Sequence, residues 1–201
     1  MNKKKVSLLL NILIVILEII GLIINYKTMN RISIEYYTID SNILALCSSL
    51  ILIIYLLTNK KIPRWLSLFK YISVIGLSVT LLVVLFILIP MGNFDYYTYL
   101  ISNSMLYQHT LCPIIGIVTF LFFDNLGKYY KKDILIGLIF TIIYSIVLII
   151  LNVLNIVNGP YPFLMVRTQS ILSSIIWFVV IYLLAFVISH SLRVLYLKQN
   201  K

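Results

Sequence analysis

Apolar side chains dominate six stretches of this chain, roughly 6–25, 39–57, 71–91, 104–123, 134–156 and 170–190. Each is near the ~20 residues that a helix needs to cross the hydrocarbon core of a bilayer. In lipid only intrahelical bonding satisfies the backbone of such a segment, so each run predicts a helix rather than a loop or an open sheet. Lys3-Lys4-Lys5 ahead of an apolar run has the look of a secretory signal. The run is too long for that, no small-residue cleavage site follows, and it is expected to be the first membrane helix. The fold class predicted is all-α: one polytopic bundle of six transmembrane helices over residues 1–201, with no room for a separate soluble domain.

Composition agrees, at 62% apolar and 11% charged, against roughly 25% charged in a soluble domain. The net charge of +10 does not point to nucleic acid, because the basic residues are dispersed among short connections. Lys3, Lys4 and Lys5 precede the first run, Lys60, Lys61, Arg64 and Lys70 fall before the third, and Lys128, Lys131 and Lys132 before the fifth. Arg193, Lys198 and Lys201 follow the sixth, which makes thirteen of the sixteen basic residues. By the positive-inside rule both termini are cytoplasmic, and the basic residues meet anionic headgroups there. Membrane lipids are the expected partners. Cys47 and Cys112 fall inside predicted spans, and no cysteine or histidine cluster has metal-ligand spacing, so neither metal nor other cofactor is expected. Tyr26, Tyr36, Tyr37, Tyr96, Tyr97, Tyr99, Tyr107 and Tyr161 form a belt at the outer interface.

The remaining polar residues collect in the outer half. Thr38, Asp40, Ser41 and Asn42 open the second run, His109 lies a little over one turn into the fourth, and Glu18 falls in the outer half of the first. Asn152 and Asn155 approach the same level on the fifth, with Arg167 just above. The second run also carries Thr38, Ser41, Asn42, Ala45 and Ser49 on one small, polar face, and shorter stripes follow on the fourth and fifth. Stripes of this kind first mean close helix packing with interhelical hydrogen bonds. At their outer ends, carboxylates, an imidazole, amides and a hydroxyl in one layer point to a polar cavity open to the outside or the outer leaflet.

A hydroxyl and an imidazole at one depth on neighbouring helices are the minimum for nucleophilic catalysis, with Thr38 attacking an acyl carbon and His109 taking its proton. Asp40 or Glu18 would orient the base. Asn42, Asn103 or the backbone at the start of the second helix would stabilise an oxyanion. The plainer alternatives are a packed, hydrogen-bonded His109, an N-cap role for Asp40 and a protonated Glu18 without further role.

Tyr36-Tyr37-Thr38-Ile39-Asp40-Ser41-Asn42, then Asn103 with His109-Thr110-Leu111-Cys112-Pro113, then Tyr161-Pro162-Phe163-Leu164 follow one another in order. In this the chain resembles the androgen-induced family of six-helix membrane hydrolases, whose animal members cleave fatty acid esters of hydroxy fatty acids, and more closely that family's bacterial branch. The resemblance covers nearly the whole chain in topology and implies Thr38 as nucleophile and His109 as its base, acting on an acyl ester. His109 precedes Pro113 by four residues, where animal members are expected to have five. On an ideal helix that offset turns the ring by about 100°, unless a bend before Pro113 compensates. Tyr161, Pro162 and Phe163 form a rigid apolar loop at the outer interface, either an anchor for the sixth helix or a cover over the cavity.

Two other classes fit the same pattern. One is a substrate-binding or transport subunit, although the first run lacks the alanines spaced by three with which substrate-capturing components of vitamin importers dock, the only alanines being Ala45 and Ala185. The other is a proton-linked carrier using Glu18, Asp40 and His109 as a relay; no inverted repeat between the halves supports it. Richness in Ile, Lys and Asn suggests a bacterial plasma membrane.

Overall fold

The computed structural model describes residues 2–200 and is an all-helical membrane bundle, with no strand among the described residues. Helix α1 runs over Lys3–Met29, α2 over Tyr37–Leu57 and α3 over Arg64–Met91. A short α4 (Tyr96–Leu100) precedes α5 (Leu106–Phe122), a short α6 (Asp133–Gly137) precedes α7 (Ile139–Val153), and α8 covers Ile171–Gln199. Helices α1, α2, α3 and α8 are long and apolar enough to cross a membrane. Helices α5 and α7 are apolar but shorter.

The long helices overrun the predicted limits because they continue past the apolar runs into polar flanks. Helix α1 gains Lys3–Lys5 and Asn25–Met29, with Asn2 as N-cap accepting from Lys4 N–H, and α8 continues to Gln199. The fifth run, expected to be one helix over 134–156, breaks at Leu138. There Ser189 Oγ donates to the Ile134 carbonyl (2.9 Å), and Leu138 N–H turns to Leu135 instead. Gly137 allows this approach, since a Cβ on it would lie 2.7 Å from Ser189 Oγ.

Prolines shape two other helices. Pro90 and Pro113 have no N–H, and the ring of a mid-helix proline clashes with the carbonyl four residues back. In each case the turn before it opens to a π-helix, at Val84–Leu88 and at Leu106–Leu111.

Helix α3 is the most buried span and α8 the least. The exterior is apolar, with Ile171, Leu172, Ile175, Val179 and Leu183 of α8 exposed, whereas serines, threonines and amides point inward. This inversion of the soluble pattern is what hydrocarbon around the bundle requires. One end gathers both described termini and residues 58–63 and 123–132: Lys4 bonds Asn59, Arg64 pairs with Asp133, and Asn200 Nδ2 donates to the Leu121 carbonyl (3.1 Å). The other end gathers residues 30–36, 92–105 and 154–170, tied in part by Tyr144, whose hydroxyl donates to the Glu35 carbonyl (2.7 Å).

Candidate active site

Thr38 and His109 meet at this second end. Thr38 sits in the first turn of α2, whose N-cap is Tyr36. His109 sits in the π turn of α5, and both are buried, at 7% and 6% exposure. Thr38 Oγ1 and His109 Nε2 are 3.2 Å apart. The other ring nitrogen, Nδ1, lies 2.7 Å from the Tyr99 carbonyl. A carbonyl only accepts, so Nδ1 carries the proton and Nε2 presents its lone pair to the Thr38 hydroxyl.

The group that orients the imidazole is therefore a backbone carbonyl, not the expected carboxylate. Asp95 caps α4 by accepting from Thr98 N–H (3.0 Å), and the end of α4 lies over the π turn. His109 bonds the Tyr99 carbonyl, and Thr110 Oγ1 donates to the next one, Leu100 (2.8 Å). This clamp and the widened turn together set the ring's direction. An ideal helix counted back from Pro113 does not describe that turn, where the spacing per residue differs.

Tyr161 reaches the same point from the α7–α8 connection. Its hydroxyl accepts from Thr38 N–H at 3.4 Å and stands 3.5 Å from Thr38 Oγ1. Burial pushes the phenol up to about 12, against which its contacts with Thr38 act only partly, so it is a neutral O–H donor at physiological pH. Its ring stacks on Phe163 (centroids 5.1 Å, planes 7° apart), which packs on Trp177 of α8. Pro162 is exposed on a 3-10 turn, Pro162–Leu164, that points Tyr161, Phe163 and Leu164 inward.

Other expected members of the site stand elsewhere. Both N–H groups of the Asn42 side chain are used, donating to the Thr38 carbonyl (2.7 Å) and the Gln108 carbonyl (3.2 Å), so Asn42 ties α2 to α5 and is no free oxyanion donor. Asn103 is exposed with φ 49°, a turn residue outside the pocket. Asp40 is half-buried inside the first turn of α2, where its N–H bonds Tyr36, so it neither caps the helix nor reaches His109. Glu18 is fully buried but faces Cys112 and Lys70, not the imidazole. Arg167 is exposed and bonds Asn155.

A narrow cavity of about 50 Å³ starts at Thr38 and runs between α3, α7 and α8, lined among others by Val79, Val83, Tyr144, Phe163 and Trp177. Taken as a whole, its accessible walls are almost wholly apolar. The set as a whole holds a buried hydroxyl, an imidazole oriented by a carbonyl, a neutral O–H donor and an apolar path, and no group of three or more His, Cys, Asp or Glu able to hold a metal ion occurs among the described residues. Comparison of the chain with protein-family models, with curated proteins and with solved structures finds no match.

Proposed function

We propose that the chain is a membrane acyl-ester hydrolase with six transmembrane helices and cytoplasmic termini, in a bacterial plasma membrane. The observation that carries this is the Thr38 hydroxyl 3.2 Å from an imidazole whose far nitrogen is held by a carbonyl. A general base must lie within roughly 2.6–3.2 Å of its proton donor. His109 Nε2 takes the Thr38 proton as Oγ1 bonds to the ester carbonyl carbon, and the carbonyl oxygen becomes an oxyanion. Tyr161 O–H and the Thr38 N–H beside it are the donors for that oxygen. The imidazolium then protonates the leaving alkoxide, and water, activated by the same nitrogen, releases the acid from the threonyl ester. Lys3, Lys4, Lys5, Lys60, Lys61, Arg64, Lys128, Lys131 and Lys132 lie at the end opposite Thr38 and His109, and the positive-inside rule supports reading that end as cytoplasmic and the site as facing the outer leaflet. A lipid ester is the substrate class that the apolar path fits, and the resemblance to the androgen-induced hydrolases points the same way.

An alkyl fluorophosphonate tests the assignment. It is expected to label the wild-type protein and not Thr38→Ala; undiminished labelling of that variant would reject Thr38 as the nucleophile. Gly159 gives a second, structural check. A Cβ there would lie 2.5 Å from the Leu164 carbonyl group and 2.8 Å from Met165 N, both backbone, so the turn that carries Tyr161 must shift. Misplacement near 1 Å costs on the order of 10²-fold in rate. Gly159→Ala is expected to slow labelling by about that factor while the protein stays folded in detergent; labelling at the wild-type rate would show that Tyr161 need not be held there.

A further inference from the structure

The bundle buries a second set of ionisable side chains that hydrolysis at Thr38 does not use. Glu18 on α1, Lys70 on α3 and Asp124 just beyond α5 are 0%, 1% and 1% exposed. The Lys70 ammonium donates to Asn11 Oδ1 (2.8 Å) and to Ser49 Oγ (2.7 Å). Asn11 Nδ2 donates onward to Asp124 Oδ1 (3.0 Å), which also accepts from Ser7 Oγ (2.5 Å). Ser7 in turn lines a cavity of about 730 Å³ at the basic end of the bundle. A hydrogen-bonded chain thus leads from an open cavity to a lysine inside the bundle.

The polar line continues past Lys70 along the same face of α1. Ser7, Asn11, Glu18, Gly21 and Asn25 are its buried small and polar positions, spaced at helical intervals. Glu18 is next above Lys70, with the thiol of Cys112 facing it. One turn further, the Gln108 side chain lies against Gly21, 3.2 Å from where a Cβ would be, and Asn42 links the Gln108 carbonyl to that of Thr38. Two joints in this line have no hydrogen bond, Lys70 to Glu18 and Glu18 to Gln108. The buried polar atoms without a protein partner include both oxygens of Glu18, both polar atoms of the Gln108 side chain and Asn42 Oδ1. They flank these joints. A buried unpartnered group costs about 1–3 kcal/mol, so several together mark a place where water or a proton belongs.

Charge points the same way. Fully ionised, the trio carries a net −1, and among the described residues Lys70 makes no ion pair. An uncompensated carboxylate in hydrocarbon is expensive, and one added proton removes the imbalance. That proton has two seats, Glu18 and Asp124, with Lys70 between them. The groups facing Glu18 are Cys112 on α5 and Lys70 on α3, while α2 presents the neutral Asn42 and Ser49 to this line. Facing Asp124 are Ser7 and Asn11 on α1 and Lys70 on α3, with Tyr129 and Tyr196 nearby.

We propose that Glu18, Lys70 and Asp124 form a proton relay that crosses the bundle along α1, loaded from the basic-end cavity. Lys70 gives a proton to the Glu18 carboxylate and, as a neutral amine, regains one from the Asp124 carboxylic acid by way of water at Asp124 Oδ2, which has no protein partner, while the Asn11 amide holds the two side chains in place. Asp124 is reprotonated from water in the cavity, and Glu18 releases its proton by way of water beside Gln108 toward the outer end. One proton enters for each that leaves, and nothing is oxidised or reduced.

The test uses full-length protein in liposomes with a pH-sensitive dye inside and the membrane potential clamped by potassium and valinomycin. After a pH step, wild-type liposomes are expected to lose the gradient faster than protein-free liposomes, and Glu18→Gln is expected to restore the protein-free rate. Glu18→Gln keeps the side chain's shape, so it decides the question even if Lys70→Met fails to fold. Thr38→Ala is expected to retain the wild-type flux, so loss of the hydrolase reading and loss of this one are separate results. Wild-type liposomes no leakier than protein-free ones, or Glu18→Gln liposomes as leaky as wild type, would overturn the relay.

Discussion

Thr38→Ala and His109→Gln are each expected to lower kcat for lipid-ester hydrolysis by on the order of 10⁴–10⁶-fold, and the double variant is expected to lose little more. The reason is that, in the proposed hydrolase, the two side chains perform one step. With the hydroxyl gone the imidazole has no proton to take, and with the imidazole gone the hydroxyl is too weak an acid to attack. Effects of residues acting as a unit do not add. Two merely packed residues 3.2 Å apart would also be coupled, but their coupling would appear in stability and leave turnover intact. The measurement is therefore kcat on a lipid ester together with the apparent melting temperature in detergent. Single variants that retain turnover, or losses that multiply in the double variant, would end the assignment.

How far the sequence leads differs between the fold and the site. Long apolar runs imply helices in lipid without reference to tertiary contacts, since no other backbone arrangement is satisfied there. The helical membrane character was therefore legible. The depth of a residue follows from counting along its helix, and that counting put Thr38 and His109 in one layer. Direction around a helix is another matter. It depends on local winding, and at His109 the winding is set by Pro113 and by carbonyls at Tyr99 and Leu100. Side-chain reading looks for a carboxylate to hold an imidazole; a backbone carbonyl carries no sequence signal. Pro113 and Pro90, each inside an apolar run, were the available signals for widened turns. The polar face of α1 was also in plain view, with Ser7, Asn11, Glu18 and Asn25 at intervals of four, seven and seven. Its partner Lys70 escaped because a lysine at the edge of an apolar run reads as an interfacial charge, and only the packing of α3 puts it 1% exposed beside Asn11 and Ser49.

Tyr161→Phe separates transition-state stabilisation from mere packing, and is expected to lower kcat by on the order of 10²–10³-fold with little change in KM. The phenylalanine ring preserves the stack on Phe163 and, through it, the contact with Trp177, so the apolar path beside Thr38 keeps its walls. What disappears is one O–H, now 3.5 Å from Thr38 Oγ1 and a long 3.4 Å from Thr38 N–H. Those contacts are slack in the resting protein, and an oxyanion formed next to Oγ1 would draw both donors to itself. A group that binds the charged intermediate better than the ground state acts on kcat. A group that merely lines the substrate path would instead raise KM. Because burial pushes the phenol up to about 12, the hydroxyl remains a donor throughout neutral and moderately alkaline pH. The ratio of wild-type to Tyr161→Phe turnover is accordingly expected to stay flat over that range, falling only as the phenol ionises. A ratio that tracks a neutral-range titration, or a variant with wild-type kcat and a raised KM, would make Tyr161 a wall of the cavity and return the oxyanion to the backbone at the start of α2.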